Sequence, residues 1–351
     1  MDSSAQQSPT SGKQAIPAVK ARPVNAILIL IAGTALLILA MGAAIAFGPR
    51  NISFAEVWRS LIAFNPAITD HQIIYELRLP RTIAAALVGA SFAVSGAIMQ
   101  GISRNPMADP GILGINAGAT LMLAVSFAFF PAQSYQGIML FCFAGAAMST
   151  ALVFGIGSAV RGGLSPVRLV LAGSAISALF LAVSQGLALH YRVGQEMAFW
   201  FAGGVAGTRW IQVQIALPWI IAGLLAAFVL ARSITVLSLG EEIAAGLGQR
   251  TGLIRLASLV IVFMLSGGSV SLVGPVAFVG LVIPHLTRSL VGVDYRWVIP
   301  CTAVLGAILV VAGDFGARMI NPPREVPLGA LIAMIGVPFF LYVARKERRE
   351  F

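Results

Sequence analysis

The sequence predicts an all-α, polytopic membrane protein of ten spans with both termini in the cytoplasm. Three observations carry that prediction: composition, the spacing of apolar runs, and the placement of basic residues. Of 351 residues, 58% are hydrophobic and 10% charged, with a mean hydropathy of +0.91. A soluble domain carries about 25% charged residues. Crossing the hydrocarbon core takes about 20 apolar residues. Ten runs approach that length: Val24–Phe47, Ile83–Gln100, Ile112–Phe130, Gly137–Val160, Val167–Leu189, Ile211–Ala231, Leu253–Val270, Val276–Leu290, Val298–Met319 and Leu328–Ala344. An even number of spans puts both termini on one side. If that side is the cytoplasm, inner segments hold 15 of the 23 Lys and Arg, the bias of an N-in, C-in protein.

Residues 1–22 are polar and rich in Ser, Gln and Pro. They lack the apolar core and small-residue cleavage site of a secretory signal, and are expected to form a disordered cytoplasmic tail. The ten-span domain then covers 23–345, and 346–351 form a basic cytoplasmic tail. Residues 48–80 read as a polar outer loop. Within it, Ser53 and Glu56 have capping-box spacing, and Phe54, Val57, Trp58, Leu61 and Ile62 recur at helical spacing. This predicts a short helix lying on the membrane surface. In the second span Ala85, Gly89, Ala93, Ala97 and Gly101 recur every four residues, a smooth face that lets helices approach closely in lipid. The eighth span is short, with a break expected at Pro284.

Between spans six and seven the apolar text stops for "LSLGEEIAAGLGQR", Leu237–Arg250. Ser238 and Glu241 again have capping-box spacing, and Glu241 and Glu242 fall in a first turn, where the helix dipole favours negative charge. Gly246 and Gly248 are natural stops. Leu239, Ile243 and Leu247 form one face expected to rest on the protein body. Ala244, Ala245 and Gly246 leave the other face nearly bare, as close approach by a second protein requires.

Several chemistries are missing. The three lysines, Lys13, Lys20 and Lys346, stand in no GxxxxGK[ST] sequence, so the chain has no P-loop. It has no HExxH and no GxSxG, and its three histidines are scattered. No CxxC occurs either, and no histidine stands near a cysteine as a metal site would need. Cys142 and Cys301 lie far apart in apolar runs and read as buried hydrophobes. The basic residues cluster at span ends and form no nucleic-acid patch. A proton- or sodium-coupled carrier needs ionisable groups inside its spans. Only Asp314 is clearly so placed, four residues before Arg318, where a local pair on one helix face is expected. An ion-coupled carrier and an intramembrane enzyme are therefore the weaker readings.

Three long segments resemble the FecCD family, the permease subunits of type II ABC importers for iron–siderophores, haem and vitamin B12. They are "RLPRTIAAALVGASFAVSGAIMQGISRNPMADPGILGINAGA" (Arg78–Ala119), "GGSVSLVGPVAFVGLVIPHLTR" (Gly267–Arg288) and "REVPLGALIAMIGVPFF" (Arg324–Phe340). They stand in the family's order, and the likeness spans about Ile73 to Phe340. The resemblance implies the type II permease fold and a subunit of an ATP-driven importer in the cytoplasmic membrane. The implied cargo is an iron–siderophore, with vitamin B12 or haem as the alternative. It also implies a second permease, identical or paralogous, and an extracytoplasmic binding protein. Two cytoplasmic ATPases would carry the ATP and magnesium and dock on coupling helices at 238–252, with Glu241, Glu242, Ala244, Ala245, Gly246, Leu247 and Gly248 at the contact.

In the family's vitamin B12 importer, arginines at the outer mouth receive acidic residues of the binding protein. By motif position these correspond to Arg78, Arg81 and Arg318, with Arg324 as a fourth contact and Asp314 orienting Arg318. The competing expectation is that these arginines anchor helix ends at lipid headgroups. Gln100 and Asn116 are polar residues within spans that border the pathway or satisfy nearby backbone. Asn105 and Asp109 are expected to cap helix starts, and His285 to be a packed structural residue.

Overall fold

A computed structural model describes residues 21–111, 114–159, 166–202, 204–322 and 324–347. They form fourteen α-helices, and among them the one β feature is an isolated bridge between Ala21 and Gly292. The helices are α1 (Pro23–Ala46), α2 (Phe54–Ile62), α3 (Thr69–Gln72), α4 (Leu79–Ser103), α5 (Ile115–Phe129), α6 (Tyr135–Ala159) and α7 (Pro166–His190). They continue with α8 (Gly194–Ala202), α9 (Trp210–Ser238), α10 (Glu241–Gly246), α11 (Thr251–Val273), α12 (Val279–Val291), α13 (Tyr295–Met319) and α14 (Leu328–Glu347). A π-helical stretch, Ile73–Arg78, joins α3 to α4 without a break.

Among the described residues, seven helical segments are long and apolar enough to cross a membrane, and three shorter apolar helices, α5, α12 and α14, accompany them. All ten expected spans thus fall on apolar helices, mostly displaced by a few residues at their ends. The outer segment differs more. Its first half holds α2 as expected, but Thr69–Ser103 is one helical run that includes the second span. The short α8 lies between the fifth and sixth expected spans and was not expected as a helix. Most of the terminal tails, 1–20 and 348–351, lies outside the described residues. Ala21 and Arg22 are not part of a free tail: the Arg22 N–H donates to the Val291 carbonyl at 2.9 Å, beside the Ala21 bridge.

α4 is the hub of the bundle, packing on α9, α11, α12 and α13. In its most apolar stretch 83% of residues are buried, against 11% in α1, which leaves α1 on the periphery. The small-residue face explains the difference. Ala85, Gly89, Ala93, Ala97 and Gly101 are all buried, and a Cβ added at Gly89 would collide with the Gly306 carbonyl of α13. Helices this close gain dispersion contact along their backbones, where no hydrophobic difference between side chain and lipid exists to hold them.

The expected break at Pro284 does not occur, and α12 runs through it. Proline removes the N–H that would bond the carbonyl four residues earlier, that of Gly280. The Gln100 side chain supplies a substitute, its Nε2 donating to the Gly280 oxygen at 3.1 Å. In lipid an unmet carbonyl costs several kcal/mol, so this bond accounts for a buried amide in the last turn of α4.

Candidate functional site

The segment after α9 forms a tight bracket. Ser238 stays in the last turn of α9, its hydroxyl donating to the Thr235 carbonyl at 2.7 Å. The expected Ser238–Glu241 capping box is therefore absent, and Gly240 is the N-cap of α10 at φ +135°. Glu241 turns away from its own helix to α11. It accepts from Arg255 Nη2 at 2.9 Å and from Thr251 Oγ1 at 3.3 Å. Gln249 closes the bracket, its N–H donating to the Ala244 carbonyl at 2.9 Å and its Nε2 to the Ser233 carbonyl at 3.2 Å.

The faces of α10 depart from expectation at three positions, whereas Ala245 and Gly246 are exposed as expected. Ala244 is fully buried against the body, while Ile243 and Leu247 are exposed, Leu247 at 69%. A short helix pressed on the end of α9 needs a small residue underneath, and the larger side chains turn outward. Glu242, Ala245, Gly246, Leu247 and Gly248 form a continuous exposed surface. Behind it, Asp294 fixes the start of α13. It accepts from the Arg296 guanidinium at 2.7 Å and the Arg296 N–H at 3.0 Å, while Thr235 of α9 accepts the Tyr295 N–H at 2.9 Å. Burial alone would raise the Asp294 pKa, but the bonds from Arg296 outweigh it and hold the carboxyl below its usual range.

At the opposite end a cavity of about 550 Å³ is lined by Arg50, Arg78, Arg81, Arg209, Arg318 and Glu325, among others. The four arginines singled out from sequence differ in what they are free to do. Arg78 is buried and gives its guanidinium to the carbonyls of Ile45, Ala46 and Arg50, tying α4 to the end of α1. Arg318 is buried as well, 3.3 Å from Asp314 Oδ2 and donating to the Ala44 carbonyl at 3.1 Å. The Asp314–Arg318 pair therefore forms, yet the shorter bonds to Asp314 come from Arg81, whose Nη2 is 2.7 Å from Oδ1. Arg81 also reaches Glu325 through Nη1 at 2.7 Å. Arg324 alone of the four is exposed and without an ion pair among the described residues.

Arg209 and Glu325 also border this cavity and were not singled out from sequence. Glu325 directly follows Arg324 in the third motif, so its charge was visible there. Nothing near Arg209 marked it, because it is brought to the cavity by the turn before α9.

A third feature is a largely apolar cavity of about 540 Å³ among α5, α7, α12 and α14, bordered by Asp109, Asn116, Thr120, Ser177, Phe278 and Phe340. Of the two pathway candidates, Asn116 lines it and Gln100 does not. Phe278 has φ +68°, a left-handed backbone that is strained for a bulky residue. Asn105 and Asp109 form side-chain turns in place of helix caps, accepting the N–H groups of Met107 at 2.9 Å and Gly111 at 2.7 Å. His285 packs edge-on to Phe339, with ring centres 5.7 Å apart. No cluster of three or more His, Cys, Asp or Glu suited to a metal occurs among the described residues.

Comparison with known proteins adds the following. A family model described as the FecCD transport family matches residues 36–346. The chain is 52% identical over 328 residues to the iron(3+)-hydroxamate import system permease protein FhuB of Bacillus subtilis, covering 93% of this chain and 85% of that one. It is 37% identical over 318 residues to the ferric enterobactin transport system permease protein FepD of Escherichia coli, covering 90% and 94%. Among solved structures, one described as an inward-facing conformation of a metal-chelate type ABC transporter matches with a TM-score of 0.77 at 28% identity. That match covers 92% of this chain and 99% of the other.

Proposed function

The chain belongs to the FecCD transport family, and from that premise we propose that it is the membrane subunit of an ATP-driven importer for an iron–hydroxamate siderophore. The observation that carries the reading is the 52% identity to a hydroxamate permease along 93% of the chain. The missing P-loop fits a subunit whose energy comes from a partner ATPase. Ten crossings, with both termini in the cytoplasm, accommodate the seven long and three shorter apolar helices and the distribution of basic residues.

In this reading the exposed surface of α10 receives the ATPase, which alone holds ATP and magnesium. The bonds of Glu241 to α11 and of Gln249 to α9 transmit its movement into two long helices. The ATPase shifts the permease between inward- and outward-open states only if it binds them with different affinity. A binding protein meets the arginine-rich outer cavity, whose positive charge attracts acidic side chains and speeds encounter. Arg324 and Arg209 make direct contacts, while Arg78, Arg81 and Arg318 hold the rim in shape. A second permease, a copy or a paralogue, completes the pathway, and the apolar cavity beside Asn116 forms part of its wall.

The test is radiolabelled-iron uptake by cells lacking this chain and by cells in which it is restored. Uptake of a ferric hydroxamate should depend on the chain and on ATP, with citrate and catecholate chelates taken up less. Uptake that persists without the chain, or that follows an ion gradient without an ATPase, would refute the proposal.

A further inference from the structure

α2 divides its surface three ways. Val57 and Ser60 are buried, Val57 in a small cluster with Ile45, Ala46, Ile52 and Ile74. Phe54, Trp58, Leu61 and Ile62 are all exposed, Trp58 at 65% and Ile62 at 68%. At about 100° per residue these four lie within an arc of roughly 100°. Glu56 and Arg59 occupy the remaining edge, 3.4 Å apart. Two faces would suffice for a helix between protein and water; the third, apolar and aromatic, needs another medium.

The roll angle of the helix is locked. His71 is buried, and its Nδ1 accepts the Asn65 N–H at 3.0 Å, which leaves Nε2 to donate to Glu56 Oε1 at 3.0 Å. The charged edge is thereby held toward α3, and the apolar face cannot rotate inward.

The depth of the helix follows from α1. Its 24 residues span about 36 Å at 1.5 Å each, more than the ~30 Å hydrocarbon core, so its ends lie at the two interfaces. Phe47, just past the last turn of α1, meets Phe54 edge-on with ring centres 5.7 Å apart. The exposed face of α2 thus begins where the exposed apolar face of α1 ends.

We propose that α2 is an interfacial anchor lying in the outer leaflet of the bilayer. Phe54, Trp58, Leu61 and Ile62 sit among the upper acyl chains, and the Glu56–Arg59 edge faces water. The aromatic character of the face suits the headgroup boundary, where amphipathic rings concentrate. Its partner is phospholipid, because the face continues the lipid-facing side of α1. The proposal rests on the reading of α1 as a span with its C-terminal end outside.

The test uses Trp58→Cys and Arg59→Cys, each carrying an environment-sensitive fluorophore, in the full-length permease in liposomes. Cys142 and Cys301, the two native cysteines, are buried, so labelling is confined to the introduced thiol. A label at position 58 should be quenched by lipids spin-labelled high on the acyl chain and be several-fold less sensitive to external iodide than one at 59. Ile62→Cys should repeat the behaviour of Trp58→Cys and serves if the tryptophan is needed for folding. Equal iodide access at 58, 59 and 62 without binding protein would overturn the proposal. If adding the binding protein then shielded 58, the face would be a protein contact. A label at 59 reached by iodide only from the cytoplasmic side would overturn the topology itself.

Discussion

Replacing Arg81 by alanine separates a brace from a free contact at the arginine-lined cavity. Arg81 is bidentate to two carboxylates, with Nη2 2.7 Å from Asp314 Oδ1 and Nη1 2.7 Å from Glu325 Oε1. Its side chain is 13% exposed and that of Asp314 is 3% exposed. Removing one partner of a buried ion pair costs about 3–5 kcal/mol, because the other charge is left without compensation. Two features reduce that here. Asp314 keeps Arg318 at 3.3 Å, and Glu325, at 36% exposure, regains water when the arginine is gone. The expected loss is about 2–3 kcal/mol, below the full buried-pair figure and well above the ~0.2–1 kcal/mol of an exposed pair. The assay is thermal unfolding of the purified, fluorescently tagged permease, alongside binding-protein capture well below the transition. Arg81→Ala should melt measurably earlier, and Arg81→Ala with Asp314→Ala should lose less than the sum of the two single changes. Arg324→Ala should melt with the wild type yet bind the partner more weakly. An Arg81→Ala permease with unchanged melting and lost partner binding would refute the reasoning and make Arg81 a free contact.

Ala245→Trp should leave the fold within about 0.5 kcal/mol of wild type, as an exposed substitution, but abolish co-purification of the ATPase and with it uptake. Ala244→Trp should cost at least the ~1–3 kcal/mol of core overpacking and reduce the folded yield; normal uptake by a well-inserted Ala245→Trp permease would show that α10 is an ordinary loop helix. For Asp294→Asn the sign follows from the lowered pKa of the folded state. Its ionised form stabilises the fold at pH values above the usual carboxylate range, and that advantage disappears as pH falls through the folded-state value. Melting curves of wild type and variant should therefore differ at neutral pH and converge in acid, and a gap that widens in acid would contradict the assignment.

The apolar runs and the spacing of α2 were legible because each is local. Transfer of a segment into lipid depends on its own composition, and an amphipathic period depends on residues within two turns. The three motifs were legible for the same reason, being continuous stretches of sequence. Pro284 marked a lost N–H correctly but misled about its consequence, since the replacement donor, Gln100, lies 180 positions from the Gly280 carbonyl it serves. The arginines around Asp314 are the clearest case. Each reads alike in sequence, a permanent charge near a span end, and only partners decide its role. Arg78 finds its carbonyls 28–33 residues earlier, whereas Arg81 finds its carboxylates 233 and 244 residues later. Likewise, the alanines of α10 are equivalent by composition, and the end of α9 selects Ala244 for burial because that close contact admits only a small side chain. What the sequence determined by itself was which segments leave water, since that free energy sums over neighbouring residues. Which charges remain available to a partner depends instead on packing, because a buried ion is satisfied by groups the fold brings to it from elsewhere in the chain.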